Sequence, residues 1–88
     1  MEVLHNLGDQ KFQLFLDDYE AYLGYKLDGN EMLIYTTQVP KELGGKGIGS
    51  LLAKTALDFA VEKNLKIIPV CPFISTYIER HKEYKDYL

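Results

Sequence analysis

The 88 residues contain a single cysteine, Cys71, so no intrachain disulfide can form and nothing points to an oxidising compartment. Positive charge is also scarce. Ten Lys and Arg against thirteen Asp and Glu give a formal net charge of -3, whereas affinity for a nucleic-acid backbone draws on a surplus of cations on one face. No nucleic-acid partner is expected. No apolar run approaches the ~20 residues that a membrane span needs, and the stretch from Ile67 to Ile74 is interrupted by Pro69 and Pro72. No membrane partner is expected either. The opening residues Met1 to Asn6 lack the basic and apolar regions of a signal peptide, which makes the cytoplasm the expected location.

What is present is the composition of a folded globular chain, with 47% hydrophobic and 12% aromatic residues. Residues 1–88 are expected to form one domain, which at this length buries roughly 60 to 65% of the unfolded chain's surface. No metal site is expected.

Glycine is concentrated where it matters most. Gly44-Gly45-Lys46-Gly47-Ile48-Gly49-Ser50 lies between an apolar run that Pro40 stops and a stretch in which Leu51, Leu52, Ala56, Phe59 and Ala60 recur at helical spacing. The order is strand, glycine turn, helix. A helix that opens in this way offers unpaired N–H groups and the positive end of its dipole to an anion, usually a phosphate. Glycine lets the ligand approach the backbone, and Lys46 adds a mobile cation. Two familiar phosphate loops do not fit. A P-loop needs a lysine between the last glycine and Ser or Thr, and Ser50 follows Gly49 directly; in the dinucleotide fingerprint the third glycine falls on Ser50. The plain alternative is a glycine turn with no ligand.

Around this centre, Lys11 to Leu16 alternates as a first strand, Ala21 to Leu27 reads as a second, and Asp28-Gly29-Asn30 turns into a third from about Glu31 to Val39. These three form an antiparallel meander. The helix spans about Lys46 to Lys63 and ends at Asn64, which tolerates a left-handed cap. Lys66 to Val70 is a fourth strand, parallel to the third by a right-handed crossover. A second helix covers Phe73 to His81, and a tail with Tyr84 and Tyr87 packs back. The fold class is α/β (α+β).

The glycine turn resembles the acyl-coenzyme A signature of the GNAT acetyltransferases, Gln/Arg-x-x-Gly-x-Gly/Ala. Gly47 and Gly49 take the two glycine positions, and Gly44 stands where Gln or Arg is usual. The flanks Gln38-Val39-Pro40, Pro69-Val70-Cys71-Pro72-Phe73 and Tyr77 to Tyr84 extend the likeness to a very short GNAT-like subfamily sometimes called YjdJ-type, from about Leu27 onward.

The resemblance implies a minimal GNAT-like fold that binds acetyl-CoA or free coenzyme A where the two central strands splay. It implies that the pantetheine arm pairs with backbone around Gln38 and Val39. The pyrophosphate then rests on amides of the turn, Gly44, Gly45, Lys46, Gly47, Ile48, Gly49 and Ser50, with Phe73 nearby and the thioester pointing toward Cys71. Cys71, ahead of a helix N-terminus, is a candidate nucleophile that takes the acetyl group; the alternative is a cysteine that fills space. Tyr77 is a candidate acid for the leaving thiolate, one residue short of the usual spacing from the strand end. His81, Lys41, Lys54 and Tyr35 are weaker candidates, read more simply as solvated or packing side chains.

A GNAT domain usually carries further helices and strands that build the acceptor groove. Without them the site is expected to be open, suited to an amine on a protein, a polyamine or a small molecule. The expected function is transfer of acetyl from acetyl-CoA to an unidentified amine. A non-catalytic coenzyme A binding module and an interaction domain are the alternatives.

Overall fold

A computed structural model describes residues 1–88. Its sheet has five strands in sequential order: β1 (Leu4–Asn6), β2 (Lys11–Leu16), β3 (Tyr19–Asp28), β4 (Glu31–Gln38) and β5 (Lys66–Pro69). The first four pair antiparallel and β5 runs parallel to β4, with Met32 opposite Ile67 and Ile34 opposite Pro69. The crossover between them is α1 (Ile48–Glu62), and α2 (Pro72–Arg80) follows β5. Short 3-10 turns cover Lys41–Leu43 and Lys82–Tyr87.

The meander therefore has four strands rather than the expected three. β1 was not legible because Leu4-His5-Asn6 is too short and mixed to alternate; what holds it is packing of its central residue. The His5 ring stacks on Phe12 at 4.0 Å, meets Phe59 edge-on at 4.7 Å, and bonds through Nε2 to the Tyr25 hydroxyl at 2.5 Å. This cluster has a pH consequence. Burial pulls the His5 pKa below its ordinary 6.5, so the unfolded chain binds the proton more readily than the folded one, and stability rises with pH across that window. The unfolding temperature is expected to be flat above about pH 7 and to fall as the pH drops through the usual histidine value. In His5→Gln that slope should disappear; its persistence would place the titrating group elsewhere.

Local chemistry explains the other boundaries. Asp17 and Asp18 take positive φ, 52° and 65°, in a two-residue hairpin whose twist suits the flanking strands. Helix α1 ends in a Schellman arrangement: Asn64 has φ 55°, its N–H donates to Val61 C=O, and Leu65 N–H donates to Ala60 C=O at 2.8 Å. Pro72 opens α2, where its missing N–H costs nothing.

One core joins the sheet to both helices. Phe12, Leu14, Ala21, Leu23, Tyr25, Met32 and Ile34 from the strands meet Leu52, Ala53, Ala56, Leu57 and Ala60 of α1 and Ile74 and Ile78 of α2, all buried. The tail packs back through Tyr84, 4% exposed, whose hydroxyl donates to the Asp58 carboxylate at 2.6 Å. No helix is long and apolar enough to cross a membrane.

A β-bulge decides how β4 meets its neighbours. Tyr25 faces Ile34, but the next β3 residue, Gly24, faces Thr36, so Tyr35 is an extra residue without an opposite partner. Side chains alternate along a strand, and an inserted residue resets the alternation. Thr37 consequently lies opposite the fully buried Leu23, on the helix side of the sheet. The Tyr35 ring folds over Gly24, where a Cβ would sit 2.8 Å from it.

Candidate functional site

Strands β4 and β5 part above the Ile34–Pro69 pair, and β4 continues through Gln38 paired with β3 only. The next β5 donor in line, the Val70 N–H, turns back to Ile68 C=O at 3.1 Å and does not reach β4. The last link is the Cys71 N–H, which donates to Ile34 C=O at 3.0 Å, and the Pro69 C=O is taken by Ser75 Oγ at 3.0 Å. The chain then turns into α2.

Above this opening lies a groove of about 400 Å³. Its floor comes from β4 and the turn after it, Thr37, Val39 and Leu43. Gly44, Gly45, Gly47, Ile48, Gly49 and Ser50 form one wall, and Phe73 of α2 forms the other. Gly45 and Gly47 hold φ of 76° and 74°, which a residue with a side chain rarely adopts. Because of this turn, α1 begins at Ile48 and not at Lys46 as expected, with Gly47 as its N-cap. No side chain caps this end, and the first helical N–H with a partner is Leu51, bonded to Gly47 C=O at 3.0 Å. The backbone N–H groups from Gly45 through Ser50 make no bond within the chain. A row of free donors at the positive end of a helix is built for an anion.

The structure brings most of the expected residues together. Gly44 N–H donates to Lys41 C=O, and a Cβ on Gly44 would press to 3.1 Å from that carbonyl oxygen, which accounts for glycine at the Gln/Arg position. A Cβ on Gly49 would meet the Phe73 ring at 3.1 Å, so the two helix starts touch there. Lys46 is exposed in the turn and does not line the groove. Gln38 is exposed too, its amide donating to Thr36 Oγ1 at 2.8 Å.

Cys71 is 6% exposed and lies behind the lining. Its thiol donates to Thr37 Oγ1 at 3.6 Å, which connects it to the groove, and its C=O accepts the N–H groups of Ile74 and Ser75. Tyr77 stands apart. Its ring stacks on His81 at 3.9 Å, on the part of α2 that faces Lys54, Asp58 and Glu83, and burial pushes its pKa up. His81 is half-buried rather than solvent-exposed, with Nδ1 bonded to Tyr77 C=O. Lys54 pairs with Asp58 at 2.7 Å.

Thr37 and Leu43 are the groove residues that sequence reasoning missed. Both depend on the bulge at Tyr35 and on the 3-10 turn beyond Pro40. One signal was available: Gly24, isolated inside a strand, marks a bulge or a close approach.

A mixed sheet that opens at its one parallel pair, beneath a glycine turn and a bare helix N-terminus, defines a GNAT-like α+β protein. Residues 11–87 match the family described as GCN5-related N-acetyl-transferase. The chain belongs to that family. It is 39% identical over 84 residues to Protein NATD1 of Mus musculus, covering 92% of this chain and 76% of that one, and 37% identical to its Xenopus tropicalis counterpart with 92% and 77% covered. The solution structure of a GCN5-like protein from Staphylococcus aureus superposes with a TM-score of 0.76 at 37% identity, over 98% of this chain and 85% of that chain.

Proposed function

We propose that the groove binds acetyl-CoA and that the protein transfers its acetyl group to an amine. The observation that carries this is the run of unpaired N–H groups from Gly45 through Ser50 at the start of α1. They suit the pyrophosphate. The pantetheine arm then lies along Val39 and Gln38, where β4 has lost its β5 partner and its backbone is free to pair. Phe73 closes the opposite side, and Lys46 reaches the phosphates from solvent. In this pose the thioester lies at the opening between the strands, beside Thr37 and the Cys71 thiol behind it. Membership of the GCN5-related family supports the same ligand.

The hydrogen bond between Cys71 and groove-lining Thr37 favours a second route, in which the thiol accepts the acetyl group before the amine does. Tyr77, packed against His81 outside the groove lining, is not assigned a part in either route.

Titration with acetyl-CoA and with free coenzyme A, followed by amide NMR and intact mass, tests the reading. Large shifts are expected for Gly45 to Ser50 and around Val39. An acetyl increment that vanishes in Cys71→Ala would establish the cysteine route, and shifts without an increment would leave direct transfer. Tight binding with no thioester loss in any amine would reduce the protein to a coenzyme A binding module. Unmoved glycine-turn amides at saturating ligand would overturn the site itself.

A further inference from the structure

Ten residues line the groove, and two of them bring a side chain that donates hydrogen bonds: Ser50, exposed on the first turn of α1, and Thr37, half-buried on the floor. In the pose proposed above, Ser50 belongs with the pyrophosphate and Thr37 with the thioester. An irregularity of β4 puts Thr37 there. Regular alternation from the buried Met32 and Ile34 would turn Thr36 to the helix side and Thr37 to the bare face. The extra residue at Tyr35 reverses this, and Thr37 lies opposite Leu23. Bulges recur beside active sites, where they re-aim a side chain.

The Thr37 hydroxyl has one hydrogen to donate and two lone pairs to fill. Its oxygen accepts the Cys71 thiol at 3.6 Å, and the hydroxyl hydrogen has no acceptor within the chain. The bond runs in that sense because a hydroxyl oxygen accepts better than a thiol sulfur. Cys71 is itself held in place: its N–H donates to Ile34 C=O, and its C=O accepts the N–H groups of Ile74 and Ser75. The thiol, 6% exposed and behind the lining, occupies the inner side of the Thr37 oxygen. The hydrogen is left to the side that lines the groove.

We infer that the Thr37 hydroxyl donates to the thioester carbonyl oxygen and stabilises the charge that gathers there during transfer, with Cys71 as the residue that aims it, an assignment that rests on the direct route of the reading above. The acceptor amine, having left its proton in solvent, attacks the carbonyl carbon. The C–N bond forms, and the C=O electron pair moves onto the oxygen that Thr37 faces. On collapse the C–S bond breaks, its electron pair goes to the coenzyme sulfur, and the surplus proton on nitrogen ends there. Thr37 gives up no proton, and no co-reactant is needed. A donor already in place when the charge develops acts without reorganisation.

Thr37→Val keeps the shape of the side chain and removes the hydroxyl. Loss of one such donor slows turnover about 100- to 1,000-fold, so release of coenzyme thiol with spermidine or n-butylamine as acceptor should slow at least about 100-fold, while calorimetric affinity for acetyl-CoA changes no more than about threefold. Thr37→Ser should recover the rate to within about tenfold of wild type. Infrared spectra of bound acetyl-CoA, 13C-labelled at the thioester carbonyl, need no turnover. The C=O stretch should lie lower on the wild type and on Thr37→Ser than on Thr37→Val. Cys71→Ala should slow transfer about tenfold, and combining it with Thr37→Val should add no further loss, because the thiol acts through the hydroxyl. Thermal unfolding of each variant checks that the fold is kept. An unchanged rate or an unchanged stretch in Thr37→Val would overturn the contact, and additive losses in the double variant would overturn the part given to Cys71. Transfer abolished in Cys71→Ala, with an acetyl increment on the wild-type thiol, would place the reaction on the cysteine route and overturn the inference while leaving acetyl transfer intact. Shifted turn amides with no amine acetylated would overturn the transfer reading and the catalytic part of the inference, the stretch alone deciding the contact. Unmoved turn amides would overturn the coenzyme site and the inference with it.

Discussion

Replacing Gly47 with valine is expected to abolish coenzyme binding. Gly47 combines φ of 74° with the N-cap position of α1, and the space where its Cβ would point is open for 4 Å. A β-branched residue at positive φ is a true outlier, costing of order 1–3 kcal/mol where the backbone holds, so the turn either strains or changes conformation. Either result spoils the row of N–H groups, and the added side chain projects into the space left for the ligand. Affinity for acetyl-CoA should fall at least about 100-fold, equivalent to ~2.7 kcal/mol. Lys46→Ala, which keeps the backbone and removes only an exposed charge, should lose no more than about tenfold. Calorimetric titration of both variants, with thermal unfolding as the check on folding, separates the contributions. Wild-type affinity in a folded Gly47→Val protein would mean that the turn is only a turn.

The largest effect on stability is expected from Phe12→Ala. Phe12 is 2% exposed, and its ring lies under His5 at 4.0 Å, with Tyr25 and Phe59 at 5.5 and 5.8 Å between ring centres. Truncating a buried phenylalanine costs roughly 3–5 kcal/mol through lost transfer energy and the cavity left behind. A domain of this size loses about 4–8 °C in unfolding temperature per kcal/mol, so a drop of at least about 12 °C is expected. The loss should be accompanied by release of β1, because His5 rests on that ring, and the pH slope below 7 should weaken in step. A drop under about 4 °C with His5 still protected from exchange would show that the cluster is not what holds the strand.

Much of this architecture was legible because its signals are local. β2 runs over Lys11–Leu16 as the alternation of Phe12, Leu14 and Leu16 predicts, and the parallel pairing of β4 with β5 follows from a strand–helix–strand connection. Asn64 announced the end of α1. The glycine turn could be read as an anion cradle because free N–H groups follow from chain order alone. The rest depended on contacts between residues far apart in sequence. β1 exists because His5 finds Phe12, Tyr25 and Phe59; the tail takes 3-10 form because Tyr84 reaches Asp58. Thr37 enters the groove only because β4 carries an extra residue at Tyr35, and strict alternation over Met32 to Val39 assigns it to the wrong face. Tyr77 was legible as a helical residue but not in its placement, which depends on how α2 rotates against α1.

Pro69 has a consequence at the outer edge of the sheet. β5 is the last strand of the sheet, and a bare edge of this kind invites pairing with a strand from another molecule. Here the same proline withholds the donor that an incoming strand would use, and the Ser75 hydroxyl occupies the acceptor beside it. The strand that parts from β4 beside the groove therefore has an outer border that is a poor template for aggregation.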